Sequence, residues 1–183
     1  MRKGFIVVAA LLVLAPVARA QHYAVDPAHA GVNFRVTHVG LSWTFGRFND
    51  VSGEFTVDGA NSTFALTIKA DSVDTGNKQR DGHLCSPDFF NVKQFPQITF
   101  KSTAVKPVEG GLDVTGDFTM HGVTKPMTFT LKGGNTAELP KGVKRTGYTT
   151  ELVLKRSEYG MDKMIPGAGD DVHVAISFEG TAK

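Results

Sequence analysis

The sequence predicts an all-β fold, an eight-stranded antiparallel barrel with a short helical lid segment. Apolar and polar residues alternate with a period of two through eight segments, which is typical of antiparallel strands that bury one face. Short turns rich in glycine and asparagine separate most of these segments, so consecutive strands can pair as a meander. Closure into a barrel removes the exposed edges of so long a sheet, and a sandwich of two sheets stays open as the alternative.

The first four strands are predicted before residue 106. The second of them contains Gly46 and Gly53, where the strand is expected to bend. The turn Asp58-Gly59-Ala60-Asn61 separates it from the third strand, because these residue types accept the backbone angles of a tight turn. The inward apolar residues are Val32, Phe34 and Val36 in residues 29–39; Phe48, Val51, Phe55 and Val57 in residues 45–58; Phe64, Leu66 and Ile68 in residues 63–71; and Ile98 and Phe100 in residues 98–105.

The last four strands are predicted after residue 111. Glu109-Gly110-Gly111, His121-Gly122 and Gly133-Gly134-Asn135 are predicted to be turns beside them. The inward apolar residues are Leu112, Val114, Phe118 and Met120 in residues 112–120; Met127, Phe129 and Leu131 in residues 126–132; Tyr148, Leu152 and Leu154 in residues 146–156; and Val172, Val174, Ile176 and Phe178 in residues 172–179. An eight-stranded barrel either is filled by such side chains or holds one small ligand.

A long connection over residues 74–92 interrupts the strands and is predicted to form the lid. Loops of this length in compact domains are usually lids or binding loops, and this one carries several ionisable residues and the only cysteine. Thr75 is a suitable N-cap for a short helix over residues 78–84. Phe89 and Phe90 follow that helix and are expected to fold inward across one barrel mouth.

The first 20 residues are predicted to be a secretory signal peptide. Two basic residues precede an apolar run over residues 5–17, and Ala18-Arg19-Ala20 then fits a cleavage site before Gln21. The run is shorter than the roughly 20 apolar residues that span a bilayer, so no stable membrane insertion is expected. The remaining single domain, residues 21–183, is expected in the periplasm or secreted.

Charge argues against a nucleic-acid-binding protein, and the cysteine content excludes an intrachain disulfide. The chain has 20 basic and 18 acidic residues, but three basic ones lie in the signal peptide, so the mature domain has 17 basic and 18 acidic residues. No cluster of Lys and Arg forms the basic face that a nucleic-acid-binding protein needs. The single Cys85 excludes an intrachain disulfide and leaves an interchain disulfide, and with it a homodimer, open.

The sequence contains no recognisable catalytic motif, so we expect a protein that is not an enzyme and needs no cofactor. It has neither a nucleophile-elbow serine nor a P-loop nor a dinucleotide fingerprint. A metal site at His83 and Cys85 would need ligands from elsewhere in the chain, and no metal is expected.

Polar residues near the strand ends point to a site at one mouth of the barrel. His38 and Arg156 continue the inward alternation of their strands. A buried arginine needs a partner, and Asp81 or Asp162 is expected to provide it. A structural ion pair that closes the barrel end and a polar head-group site at the mouth of an apolar cavity both stay open. The candidate ligand-binding residues are Phe34, Val36, His38, Phe64, Leu66, Ile68, Arg80, Asp81, His83, Phe89, Phe100, Phe118, Met127, Phe129, Leu152 and Arg156.

Several sequence blocks in a fixed order carry a resemblance to a known family. They are Asp26-Pro27-Ala28-His29, Val36-Thr37-His38-Val39-Gly40, Asp74-Thr75-Gly76, Arg80-Asp81-Gly82-His83-Leu84-Cys85-Ser86-Pro87-Asp88-Phe89-Phe90-Asn91-Val92, Phe95-Pro96-Gln97-Ile98-Thr99-Phe100, His121-Gly122-Val123-Thr124-Lys125-Pro126, Arg156-Ser157-Glu158-Tyr159-Gly160-Met161 and Gly169-Asp170-Asp171-Val172. With these blocks the chain, from about Tyr23 to Glu179, resembles the YceI-like, polyisoprenoid-binding proteins of bacteria.

The resemblance implies a periplasmic, lipocalin-like barrel whose apolar cavity holds an isoprenoid chain, with the head group near the mouth. The expected guest is an isoprenoid lipid of the polyprenyl phosphate or quinone type, bound for transport, storage or sequestration. Burial of several hundred Å² of such a chain, at about 25 cal/mol per Å², is worth on the order of ten kcal/mol before ordering costs. The alternatives are a small stress-related barrel protein without a ligand and an enzyme acting on isoprenoid or quinone substrates.

Overall fold

A computed structural model of the protein describes residues 20–183, so the predicted signal peptide lies outside the described residues except for Ala20. The described part contains ten β-strands, one α-helix and four short 3-10 helices. The strands are β1 (Gln21–His38), β2 (Ser42–Phe48), β3 (Val51–Val57), β4 (Thr63–Lys69), β5 (Val73–Asp74), β6 (Gln97–Val108), β7 (Gly111–Met120), β8 (Val123–Leu139), β9 (Val143–Lys155) and β10 (Ala168–Ala182). The helices are α1 (Lys78–Leu84) and the 3-10 helices Gly59–Asn61, Ala70–Ser72, Pro140–Gly142 and Arg156–Tyr159.

Pairing between β1 and β10 closes the sheet into a barrel. The strands are antiparallel to their neighbours in the order β10–β9–β8–β7–β6–β4–β3–β1–β2–β5. The long strand β1 serves two neighbours on one side, since residues 21–24 pair with β3 and residues 32–38 pair with β2. β2 and β3 are therefore two halves of one barrel strand, and β5 is a two-residue strand at the edge of β2. The prediction of an eight-stranded barrel is confirmed, and the sandwich is excluded.

All eight predicted strands are present, but the second is divided into β2 and β3, the two-residue strand β5 was not predicted, and several strand ends differ. β1 extends further towards the N-terminus than predicted, because its register against β10 shifts between Val25 and Ala30 and hides the alternation there. The prediction of a turn at Gly133-Gly134-Asn135 was wrong. These residues lie inside β8, where the register against β9 shifts between Gly133 and Thr136. A bulge of this kind accepts glycines with positive φ.

A cluster of aromatic rings, the aromatic plug, fills one end of the barrel. Tyr23, Phe55 and Phe64 stack in sequence, with ring centroids 5.1 and 5.5 Å apart. Tyr148 and Phe178 pack with their rings nearly perpendicular to that of Phe55. Such pairs stabilise a core beyond the apolar area they bury. Phe64 and Phe178 are only 1% and 2% exposed, so this half of the interior is a filled core.

The predicted lid helix is present as α1, but its N-cap differs from the prediction. The side-chain oxygen of Asn77 accepts hydrogen bonds from the backbone N–H groups of Gln79 and Arg80, both at 3.1 Å. Thr75 was the predicted cap, and that prediction was wrong. Its hydroxyl instead donates to Oδ1 of Asp81. Asparagine competes well for this role because its short side chain reaches the free N–H groups of the first turn.

The segment that follows α1 holds the lid more firmly than the helix does, since in α1 the half-buried Leu84 is the apolar residue that packs against a buried cluster. No residue of α1 is buried. Phe89 is buried, and the half-buried Phe90 packs with its ring 5.5 Å from that of Phe48 in β2. The expectation that both phenylalanines fold inward is therefore met by the packing. Within residues 20–183, no helix combines the length and the apolar character needed to cross a membrane.

Truncation of the plug is expected to cost more stability than truncation of a ring in the other half of the barrel. Phe64→Ala removes a fully enclosed ring, and we expect the free energy of unfolding to fall by about 3–5 kcal/mol. Phe34→Ala removes a half-buried ring and is expected to cost clearly less. Urea unfolding followed by circular dichroism measures both. Equal losses of unfolding free energy in the two variants would contradict the conclusion that one half of the barrel is filled and the other is open.

Candidate functional site

A cavity of about 630 Å³ occupies the barrel between the aromatic plug and the lid. Phe100 and Phe178 line its inner end, next to the plug. Apolar side chains of β1, β4, β8, β9 and β10 line most of its wall. A cavity of this size with few polar groups is typical of a site for a largely apolar small molecule. The barrel is thus filled in one half and hollow in the other.

Fourteen of the sixteen candidate residues line this cavity. They are Phe34, Val36, His38, Leu66, Ile68, Arg80, His83, Phe89, Phe100, Phe118, Met127, Phe129, Leu152 and Arg156. Phe64 does not line it, because its ring is enclosed in the aromatic plug. Asp81 does not line it either, because its Oδ1 accepts hydrogen bonds from the backbone N–H and the hydroxyl of Thr75. That the fourteen contact a ligand stays a prediction.

The selection of candidates missed two kinds of lining residue. Val172, Val174 and Ile176 on β10 line the cavity, and the inward alternation of that strand is the signal that finds them. Met161 and Met164 also line it, but they lie in a loop between the last 3-10 helix and β10. A loop has no periodicity that tells an inward residue from an outward one, so the sequence offers no comparable signal for these two.

The cavity opens between three segments that form its mouth. They are the β1–β2 hairpin, the lid helix α1 and the loop of residues 161–167 that leads into β10. The residues that these segments place around the opening are Thr37, His38 and Thr44; Asn77, Gln79, Arg80 and His83; and Met161, Met164 and Ala168. Polar groups are therefore concentrated at the mouth, while the interior is apolar.

Two polar side chains of the lid are fixed in position at the mouth. Nε and Nη2 of Arg80 donate hydrogen bonds to the hydroxyl and the carbonyl oxygen of Thr75, each at 2.8 Å. Nε2 of His83 lies 3.1 Å from Oδ2 of Asp88. That hydrogen bond, with the nearby charge of Lys163, holds the pKa of Asp88 below its usual value. The mouth therefore presents an oriented guanidinium rather than a freely moving one.

Arg156 is the most deeply buried charged residue of the lining, at 5% exposure. Its Nε donates to the carbonyl oxygen of Gly169 at 2.9 Å, its Nη1 to that of Met161 at 2.6 Å and its Nη2 to that of Ala168 at 2.9 Å. Bonds to three carbonyls in different directions suit the planar fork of a guanidinium. This side chain therefore ties the end of β9 to the mouth loop and to the start of β10.

The predicted partner of Arg156 was wrong, since neither Asp81 nor Asp162 bonds to it. Burial lowers the pKa of Arg156, and the charges of Asp170 and Asp162 act in the opposite direction. A guanidinium stays protonated at any pH near neutrality. The hydrogen bonds to the carbonyls use three of its five N–H groups, which leaves two for other acceptors. The end of the barrel is thus closed by a charged group held on the backbone.

Cys85 lies beneath the lid and is half-buried. Burial raises the pKa of its thiol, with smaller contributions from Asp71 and Asp81. A raised pKa disfavours the thiolate, which is the reactive form. Among residues 20–183 there is also no group of three or more His, Cys, Asp and Glu residues that could hold a metal ion.

Known proteins share both the sequence pattern and the fold. A family model described as a YceI-like domain matches residues 23–180. Protein YceI of Salmonella arizonae is 41% identical over an alignment of 177 residues, and the alignment covers 94% of this chain and 93% of that protein. The YCEI protein of Campylobacter jejuni superposes with a TM-score of 0.72 at 29% identity, covering 80% of this chain and 90% of that chain. A polyisoprenoid binding domain from Saccharophagus degradans, covering 88% of this chain and 98% of that chain, has a TM-score of 0.66 at 20% identity and shows the fold alone.

Replacement of Arg156 by lysine is expected to loosen the mouth loop. Arg156→Lys keeps the charge, but one ammonium cannot reach three carbonyls in the directions that the fork does. We expect amide exchange in residues 161–169 to become faster and the free energy of unfolding to fall by about 1–3 kcal/mol. Hydrogen–deuterium exchange read by mass spectrometry measures the first, with Arg47→Lys on an exposed side chain as the control. Unchanged exchange in that loop would contradict the assigned role of Arg156.

Asp170 is expected to make the mouth acid-sensitive. Its carboxylate accepts hydrogen bonds from the backbone N–H of Ser157 at 2.9 Å and from its hydroxyl at 2.8 Å, and these lower the pKa of Asp170. A carboxyl whose pKa is lowered by folding stabilises the protein above the unfolded value of about 3.9 and loses that contribution as the pH falls through the lower folded value. Asp170→Asn should therefore reduce stability more at pH 7 than at pH 3.

The urea midpoint at the two pH values measures this difference. Asp117→Asn is the matched control, because the exposed Asp117 carboxylate makes no side-chain hydrogen bond or ion pair in the described part of the chain. If Asp170→Asn lowers the urea midpoint equally at pH 3 and pH 7, the assigned role of the Asp170 carboxylate is contradicted.

Proposed function

Because the chain belongs to the YceI-like family, we propose that it is a binding protein that holds an isoprenoid lipid in its barrel cavity for transport, storage or sequestration. The observation that carries the proposal is the cavity of about 630 Å³ with apolar walls and a polar mouth. Such a shape fits a molecule with one long apolar part and one polar end. The similar fold of the polyisoprenoid binding domain from Saccharophagus degradans supports the same class of ligand for this chain.

The apolar wall accounts for affinity without any specific polar contact. Burial of several hundred Å² of a prenyl chain at about 25 cal/mol per Å² is on the order of ten kcal/mol before ordering costs. The cavity wall includes Met127 and Met161 beside rigid phenylalanines. Methionine adapts its shape to a guest because its chain is unbranched and flexible. The wall therefore suits a family of related chains better than one rigid molecule.

The polar mouth is the proposed position of the head group. A polyprenyl phosphate and a quinone both carry oxygen acceptors, and both would find guanidinium donors there. Arg156 has two N–H groups beyond its three carbonyl bonds, and Arg80 is oriented by Thr75. A phosphate would gain more than a quinone from these groups, because hydrogen bonds between charged partners are the stronger ones.

The periplasm or the exterior is the compartment we propose, on the basis of the predicted signal peptide. The alternative of a barrel without a ligand is less well supported, because half of the barrel is hollow. The alternative of an enzyme acting on isoprenoid or quinone substrates differs from a carrier in one measurable respect. A carrier releases its guest chemically unchanged, whereas an enzyme converts it.

A charge inside the cavity is expected to abolish lipid binding. Phe129→Glu places a carboxylate against the apolar guest, and burying that charge is costly. Native mass spectrometry of protein purified from the periplasm without detergent should show a discrete adduct in the parent protein and none in this variant. Solvent extraction of the adduct then identifies the guest.

Val143→Glu is the matched control, because Val143 is exposed at the β8–β9 turn and does not line the cavity. It should keep the adduct. A folded Phe129→Glu variant with unchanged lipid content would show that the guest, if any, is bound elsewhere. If the extracted molecule is not an isoprenoid, the cavity remains the binding site but the proposed ligand class is wrong.

A further inference from the structure

Most of the large apolar side chains that are exposed lie together beside the cavity mouth. Seven of the nine in the described part form one group, which we term the rim patch: Val39, Leu41, Trp43, Phe45, Val153, Met164 and Ile165. Leu41 at the tip of the β1–β2 hairpin is 86% exposed, and Phe45 is 63% exposed. Clusters of exposed apolar residues on a soluble domain usually mark an interaction surface.

Backbone contacts join the members of the rim patch into one surface. The N–H of Val39 donates to the carbonyl oxygen of Gly167 at 2.7 Å, which fixes the hairpin turn against the mouth loop carrying Met164 and Ile165. On the outer wall, the strand register places Phe45, Arg35, His173 and Val153 in one row across β2, β1, β10 and β9. The tip and the wall are therefore parts of the same face.

The rim patch is continuous with the opening of the cavity. His38 and Thr44 lie in the same hairpin as Leu41 and line the mouth, and Met164 belongs to both the patch and the lining. Any molecule that leaves the cavity on this side therefore meets the patch first. If another surface covered the patch, an apolar guest could pass between that surface and the cavity without crossing water.

The charge of this face indicates which surface covers it. Residues 35–48, which form most of the hairpin, contain Arg35, Arg47 and one histidine, His38, but no acidic residue. The guanidinium carbon of Arg35 lies 4.7 Å from the ring centroid of Trp43. Exposed tryptophan and arginine beside an apolar tip are typical of proteins that rest at a membrane interface, where the rings and the cationic groups lie at the level of the lipid phosphates.

Acidic residues near the patch are mostly engaged with other partners. Asp171 on β10 is paired with Lys155 at 2.8 Å, and Asp170 accepts the two hydrogen bonds from Ser157. In the mouth loop, Asp162 is followed directly by Lys163. The hairpin itself carries cationic groups and no acidic one. Asp74 of β5 offsets the charge of Arg47, its partner across the strands, so Arg35 is the cation that complements an anionic lipid surface.

We propose that the rim patch docks this protein on an anionic phospholipid bilayer, with the cavity mouth facing the lipid. Leu41 and its apolar neighbours enter the outer edge of the acyl-chain region, and Arg35, which lies over the ring of Trp43, is at the level of the phosphates. Passage of a guest between bilayer and cavity in this position rests on the proposed function, whereas the docking itself depends only on the surface. A protruding tip flanked by cations fits a deformable bilayer better than the flat, self-complementary contact of a second copy.

Trp43 makes the docking directly measurable, because it is the only tryptophan in the chain. The protein as purified from the periplasm is mixed with vesicles of phosphatidylethanolamine and phosphatidylglycerol, or with vesicles of phosphatidylcholine alone. We expect a blue shift of the Trp43 emission and co-sedimentation with the anionic vesicles, and at least tenfold weaker binding to phosphatidylcholine. Leu41→Asp should weaken binding to the anionic vesicles at least tenfold, while Leu139→Asp, exposed at the β8–β9 turn, should leave it unchanged.

Three outcomes would overturn the docking proposal. One is the absence of binding to anionic vesicles, and a second is equal binding by the parent protein and Leu41→Asp. The third is an emission shift that depends on protein concentration without vesicles and disappears in Leu41→Asp, since it would assign the patch to a second copy. The lipid content from native mass spectrometry is read on the same samples. If the protein binds vesicles but carries no lipid guest, only the proposed function is refuted. If the protein carries a lipid guest but does not bind vesicles, only the docking proposal is refuted.

Discussion

Hydrogen bonding between β1 and β10 is the interaction on which the rest of the structure depends. It joins the first and last strands of residues 20–183, so that every strand gains an inner and an outer face. The same strand β1 pairs with β3 through residues 21–24 and with β2 through residues 32–38. Because β2 continues the barrel strand that β3 begins, the β1–β2 hairpin lies at the same end of the barrel as the lid and the mouth loop. Closure of the barrel and the position of its opening thus have one origin.

Stability and binding are assigned to different halves of the interior. The aromatic plug buries its rings completely around Phe55, and this compact half allows the other half to remain hollow. A hollow interior otherwise costs stability, because atoms at its wall lack contacts on one side. At the far end Arg156 closes the wall through backbone carbonyls instead of through apolar packing. A polar closure of this kind keeps a charge at the mouth without exposing it to solvent.

The sequence predicted the parts of the structure that repeat and missed those that occur once. Period-two alternation located eight strands and placed eleven of the fourteen lining candidates on the cavity wall, because pleating forces alternate residues to one face. The other three, Arg80, His83 and Phe89, came from the long connection instead. It could not foresee that Phe64 belongs to the plug, since inward residues look alike along the strand axis. The cap of α1 and the partners of Arg156 depend on which of several nearby groups is closest. These hydrogen-bond partners are determined by distances in the folded structure, which the spacing of residues in the sequence does not reveal.

The helix α1 has no buried residue, and this affects rates rather than equilibrium. A segment that contributes little packing opens at a small fraction of the free energy of global unfolding, and short segments of this kind move within microseconds to milliseconds. The residence time of the proposed guest would then depend on how often the lid moves aside, whereas its affinity would depend on the wall and the polar mouth behind the lid. Substitutions in α1 that keep Arg80 and His83 would therefore change the speed of release with little effect on how strongly the barrel holds its guest.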